Sequence, residues 1–146
     1  MDRRSFLAAA AAGATLSATA GLRPAWAEAK PLKVGVIVPM TGPFAPYGKQ
    51  IETAMRLYLA QHGEEVAGRR IELVVKDDGA VADATKRLAQ ELVVHDKVEA
   101  LAGFGLTPLA LAAAPISARA KVPQIVMVAA TSVVTEKSPY IVRTSY

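Results

Sequence analysis

From Lys33 onward, short runs of β-branched residues alternate with stretches of helical period. Lys33-Val34-Gly35-Val36-Ile37-Val38-Pro39 is apolar and continuous, the pattern of a strand buried on both faces. A glycine- and proline-rich loop follows, Met40-Thr41-Gly42-Pro43-Phe44-Ala45-Pro46-Tyr47-Gly48. From Lys49 the period changes. Ile51, Ala54, Met55, Tyr58 and Leu59 recur at three- and four-residue spacing, which predicts an amphipathic helix to about His62 that Gly63 ends. Gly68-Arg69-Arg70 turns the chain into a second strand, residues 71–76, closed by Asp77-Asp78-Gly79. Asp83 is placed to cap a second helix with Ala84, Leu88, Leu92 and His95 along one face. Residues 98–104 form a third apolar run. Thr107 followed by Pro108 is a helix-start signal, a capping hydroxyl before a proline. That helix should reach about Arg119, with a kink or early end at Pro115. Residues 124–128 predict a fourth strand, Ala129-Ala130-Thr131-Ser132 its outgoing loop, and residues 140–146 a last β-prone segment.

Strand-helix units repeated in this way predict an α/β fold, a parallel doubly wound sheet with helices on both faces. Ligands of such sheets bind beyond the carboxyl ends of the strands, where strand order reverses. The loops at 41–48, 103–107 and 129–132 therefore matter most. At Gly103-Phe104-Gly105-Leu106-Thr107-Pro108, small residues meet a helix start, a place that favours a carboxylate or other anion. Thr107 there can serve a ligand or cap its own helix. Ala129-Ala130-Thr131-Ser132 sets two unobstructive residues before two hydroxyls, a ligand surface or an ordinary polar turn.

Enzyme chemistry finds little support. Gly103-x-Gly105 lacks the third glycine of a dinucleotide fingerprint, and no phosphate-binding Gly-Lys-Ser/Thr loop occurs. No serine lies in a nucleophile elbow. Asp77, Asp78 and Asp83 read as a strand end and a helix cap rather than as a metal cluster, and His62 and His95 stand alone on helices. No metal, cofactor or catalytic residue is expected. With no cysteine, disulfides and thiolate chemistry are excluded.

The first 27 residues have a different character. Arg3-Arg4-Ser5-Phe6-Leu7 precedes an uncharged, alanine-rich run to Leu22, and Ala25-Trp26-Ala27 forms a small-x-small site. This is the build of a secretory signal peptide, cleaved after Ala27, with the paired arginines of the Tat class. Asp2 and Ala8 depart from the usual Tat pattern. Alanine and glycine transfer too weakly into lipid for the run to serve as a membrane anchor. The leader takes three arginines and one aspartate with it, leaving 14 basic against 12 acidic residues, a net charge of +2. That balance does not suggest nucleic acid. Residues 28–32 read as a flexible mature N-terminus.

The ordered set of loops resembles the periplasmic substrate-binding proteins of ABC importers, in the branched-chain amino-acid (Leu/Ile/Val-binding) family. The resemblance runs through Lys33-Val34-Gly35-Val36, Thr41-Gly42-Pro43 with Tyr47-Gly48, Asp77-Asp78, Gly103 with Thr107, Ala129-Ala130-Thr131-Ser132, and Ser138-Pro139-Tyr140-Ile141-Val142-Arg143-Thr144. It implies the first lobe of a two-lobed type I periplasmic-binding fold over residues 33–146, with the second lobe missing, so the chain reads as an N-terminal fragment. It further implies capture of an amino acid or similar small carboxylate or amide, without chemistry. Thr107, Ala129, Ala130 and Thr131 would contact the ligand, and Tyr47 would line the cleft from the first loop. The implied partners are that ligand and an ABC permease in the inner membrane, for a periplasmic protein that is monomeric when full length. A ligand-sensing receptor ectodomain on the same fold is the alternative.

Overall fold

Strand β1 (Leu32–Val38) lies at the centre of the sheet, as its unbroken run of β-branched residues requires. The computed structural model describes residues 29–144. The expected signal peptide and the last two residues of the β-prone C-terminal segment lie outside them. After β1 come helix α1 (Ala45–His62) and a hairpin of β2 (Glu65–Val66) with β3 (Arg69–Asp77). Helix α2 (Ala82–Glu91) runs into a π-helical turn, Leu92–Asp96, followed by β4 (Ala100–Gly103) and α3 (Thr107–Ala120). Strand β5 (Gln124–Val126), the single turn α4 (Val133–Glu136) and β6 (Ile141–Arg143) complete the order.

The sheet runs β2-β3-β1-β4-β5-β6, and every pairing is parallel except the β2–β3 hairpin. Right-handed crossovers place α1 on one face and α2, α3 and α4 on the other. The second face holds the main core: Ile37, Leu88, Leu92, Leu101, Phe104, Ala113, Val126, Val134 and Ile141. Gly35 belongs to that face too, since a Cβ on it would lie 2.9 Å from Leu92 Cδ1. Val36 and Val38, at alternating positions, are equally buried against the other side.

Helix α1 covers its face thinly. Gly48 is its one buried residue. Ala54 and Tyr58, expected on its apolar face, are exposed, Tyr58 at 60%, and Tyr58 stacks on His62 with ring centroids 4.2 Å apart.

Several boundaries correct the sequence reading. Helix α1 begins at Ala45 rather than Lys49, because Pro46 occupies its first turn, where a fixed φ favours the helix. Leu32 belongs to β1 and not to a flexible N-terminus. Behind it, the Lys30 and Pro31 carbonyls accept from Arg69 Nε and Nη2 at 2.9 and 3.1 Å. Asp83 does not cap α2; the cap position is Val81, without a side-chain bond, and Asp83 sits in the first turn. His95 is exposed, while Thr85 and Ala89 take buried places on α2. Pro115 does not stop α3, which continues to Ala120. Its ring faces solvent while Ala113, Ala114, Ile116 and Ser117 are buried, and that packing outweighs a proline cost of about 3 kcal/mol.

Candidate functional site

From β1 the chain passes to β3 on one side and later returns to β4 on the other. That reversal opens a crevice between the loops leaving the carboxyl ends of β1 and β4. Three backbone bonds tie the carboxyl ends of β1, β4 and β5 together. The Phe104 amide donates to the Ile37 carbonyl (2.9 Å), the Met127 amide to Gly103 (2.8 Å), and the Ala129 amide to Phe104 (3.2 Å). Gly103 is required here: its φ is +112°, and a Cβ would fall 2.3 Å from the Ile37 oxygen. Phe104 also has positive φ, +64°, with its ring fully buried. Such a conformation costs a bulky residue about 1–3 kcal/mol, which burial of the ring offsets.

Thr107 is the first residue of α3 and not its cap. Leu106 holds the cap position in extended conformation, without a side-chain cap bond. The Leu109 and Ala110 amides both turn to the Leu106 carbonyl, at 3.1 and 3.2 Å, and Pro108 has no N–H. The half-buried Thr107 hydroxyl makes no hydrogen bond among the described residues, so it is the donor that this helix start offers a ligand.

One strand along, Ala129 is buried and its amide is already committed to Phe104. Ala130 is exposed, and its carbonyl accepts from Arg143 Nη1. Thr131 is half-buried with its carbonyl turned to the Val134 amide at 3.4 Å, and its hydroxyl makes no hydrogen bond among the described residues. Tyr47 lies in helix α1 and not in a loop. Its ring is 51% exposed and stacks on Phe44 at 6.2 Å. Gly48 lets that helix rest on the loop below, for a Cβ there would lie 2.1 Å from the Pro39 oxygen. The structure thus places Thr107 at the start of α3, after a loop bonded to the one that carries Ala129, Ala130 and Thr131, and Tyr47 in the first turn of α1.

Asp77 and Asp78, read from sequence as one strand-ending pair, divide their work. Asp77 accepts the Met40 amide (2.8 Å), the Thr41 hydroxyl (2.7 Å) and the Gly79 amide (2.8 Å). Partial desolvation pushes its pKa up, but the bonds from Thr41, Gly79 and Met40 prevail and hold the carboxyl below its ordinary range. Asp78, only 2% exposed, accepts the Thr85 hydroxyl (2.7 Å) and the Ala80 amide (3.0 Å), which ties α2 to the end of β3. Spacing alone could not separate the two roles, because adjacent residues at a strand end point to opposite sides.

Residues 31–146 match the profile of a family described as periplasmic binding protein. The chain belongs to that family. It is 46% identical over 133 residues to Leu/Ile/Val-binding protein homolog 6 of Brucella abortus, covering 90% of this chain and 34% of the relative. Among solved structures, it is 63% identical to a solute-binding protein of an ABC transporter from Rhodopseudomonas palustris BisB5 in complex with 3,4-dihydroxybenzoic acid. That likeness has a TM-score of 0.77 and covers 80% of this chain and 32% of the other. A solute-binding protein from R. palustris HaA2 in complex with p-hydroxybenzoic acid is 50% identical, at TM-score 0.75, over 79% of this chain and 31% of its own. This periplasmic binding protein chain thus spans about a third of the length of the relatives it matches.

Its mostly parallel sheet matches a lobe of the type I periplasmic-binding fold. The crevice loops of this lobe form an open wall. A hollow of about 800 Å³ lies at the opposite end of the sheet, lined by Arg56, Leu59, Arg70, Ile71 and Leu73, and another of about 690 Å³ lies on the outside of α2. Size therefore does not locate the site; strand order and uncommitted donors do.

Proposed function

We propose that this chain supplies one wall of an extracytoplasmic solute-capture site that serves an ABC importer, with binding and hand-over to a permease and no chemistry. The observation that carries the reading is the free Thr107 hydroxyl at a topological switch point, on loops stitched to the one bearing Thr131. A ligand carboxylate would accept from those two hydroxyls. Ala129, its amide already used, would serve as a small residue that leaves room. Ala130 and Tyr47 would border the same space.

Small carboxylic acids are the substrate class, with hydroxybenzoates foremost, because solved relatives at 63% and 50% identity hold such acids. Branched-chain amino acids come second, on the 46% identity to a Leu/Ile/Val-binding homologue. Capture by closure needs a facing second lobe, since a ligand drives closure only through contacts that differ between open and closed states. Residues 1–27 would direct export to the periplasm and be removed after Ala27, which N-terminal sequencing of the exported protein checks.

Calorimetry of the full-length protein against 3,4-dihydroxybenzoate, 4-hydroxybenzoate and leucine tests the reading. Tight binding of a hydroxybenzoate with none of leucine supports it as stated. Binding of leucine alone moves the ligand to the amino-acid class. A folded protein that binds none of the three overturns it.

A further inference from the structure

The loop that enters the crevice from β1 has little to hold it. Thr41, Gly42 and Pro43 are all exposed, and a Cβ on Gly42 would meet nothing within 4 Å. What holds it lies on another strand. Asp77 Oδ2 accepts the Thr41 hydroxyl, and Oδ1 accepts both the Met40 amide and the Gly79 amide. Two of these bonds join parts of the chain more than thirty residues apart. The third closes the turn after β3. Ionised, the carboxylate accepts all three as charge-assisted bonds; protonated, it keeps only neutral bonds, which are about half as strong.

We propose that Asp77 is a positioning residue for solute capture: its carboxylate holds Met40 and Thr41 as a preformed wall of the crevice. The proposal rests on the solute-capture reading. A ligand arriving at Thr107 and Thr131 then meets an ordered loop and does not spend binding energy on ordering it. The groups around Asp77 bring no opposite charge. Asp78 turns away to Ala80 and Thr85, Lys76 is engaged with Glu91, and no basic group among the described residues forms an ion pair with Asp77. The latch is therefore a single carboxylate set against neutral donors, strongest while it is ionised.

The test uses the full-length protein, 3,4-dihydroxybenzoate as probe, and amide hydrogen exchange of Met40 and Gly79. Asp77→Ala should weaken binding about tenfold and speed exchange at Met40, the loss expected when a ligand must order a loop. Asp77→Asn guards against loss of fold, since its carbonyl oxygen still accepts the two amides. It should bind between wild type and Asp77→Ala, with Met40 exchange likewise between theirs. An Asp77→Ala protein with wild-type affinity and unchanged Met40 exchange overturns the positioning role alone. Wild-type protein that binds no hydroxybenzoate or leucine overturns the capture reading, and this proposal with it.

Discussion

A Cβ on Gly103 would lie 2.3 Å from the carbonyl oxygen of Ile37, so these two residues set how closely β4 and β1 approach at the mouth of the crevice. Gly103→Ala should cost about 3 kcal/mol, from the clash together with a φ of +112° that alanine rarely adopts. Gly105→Ala is the control. Its Cβ would meet Pro39 Cδ and Cγ at 3.4 and 3.5 Å, with no positive φ, and should cost under about 1 kcal/mol. Urea denaturation of both variants measures the contrast.

The buried Asp78 carboxylate gives a second stability test. Thr85→Val keeps the shape of the side chain but removes the hydroxyl that donates to Asp78 at 2.7 Å. A buried carboxylate losing a partner costs about 1.5–3 kcal/mol. Thr85→Ser retains the donor and should lose only about 0.8 kcal/mol for the missing methyl. Thermal melts at neutral pH separate the two.

Thr107 should behave in the opposite way. Its hydroxyl makes no hydrogen bond among the described residues, so Thr107→Ala should leave the melting temperature unchanged. In the full-length protein the same change should weaken hydroxybenzoate binding about tenfold to a hundredfold, the worth of one hydrogen bond to a charged ligand. Thr107→Ser should restore most of it. Calorimetry and a melt on the same samples provide both readings.

Acid should act through Asp77. Its folded pKa lies below the unfolded value of about 3.9, so its contribution is fully present above that value and fades as pH falls through the lower folded value. The stability difference between wild type and Asp77→Asn should therefore be constant at neutral pH and shrink below about pH 4. Urea midpoints measured from pH 7 down to pH 3 give the profile.

Helix α1 carries the last test. Leu57 is 54% and Tyr58 60% exposed on a helix that buries one residue, and Val142 is exposed on the edge strand β6. An open edge and uncovered apolar surface favour association. The 146-residue chain expressed alone should elute as oligomers and melt broadly. Leu57→Glu with Tyr58→Glu should raise the monomer fraction in size-exclusion chromatography without lowering the melting temperature. A sharply melting wild-type monomer would refute this.

The alternation of patterns was enough to read the parallel sheet, its order of elements and the loops that share one end. Val34, Val36, Ile37 and Val38 can only be a central strand, and the periodicity of α2 shows through Leu88 and Leu92. What was illegible depends on tertiary context. The β2 strand has two exposed residues and no pattern to detect. Pro115 signals a break that burial on the far side of α3 overrides. Thr107 and Pro108 look like cap and first residue, yet the helix starts one position earlier, which frees the hydroxyl. The role of Asp77 was hidden, because its partners Met40 and Thr41 follow the neighbouring strand, more than thirty residues away in sequence.

The place of β1 in the sheet also bears on how the protein is made. Of the described strands it is the first to leave the ribosome, yet it ends with a neighbour on each side. Strand β3 can pair with it after α1 and the hairpin have been synthesised, but β4 arrives only once Gly103 has emerged. Until then one edge of the most apolar strand is unpaired, and the core around Ile37 lacks Leu101 and Phe104. Non-local parallel pairing of this kind forms slowly and leaves apolar surface open meanwhile. A pause in translation between β3 and β4 therefore prolongs the exposure of that edge and of the core face around Ile37.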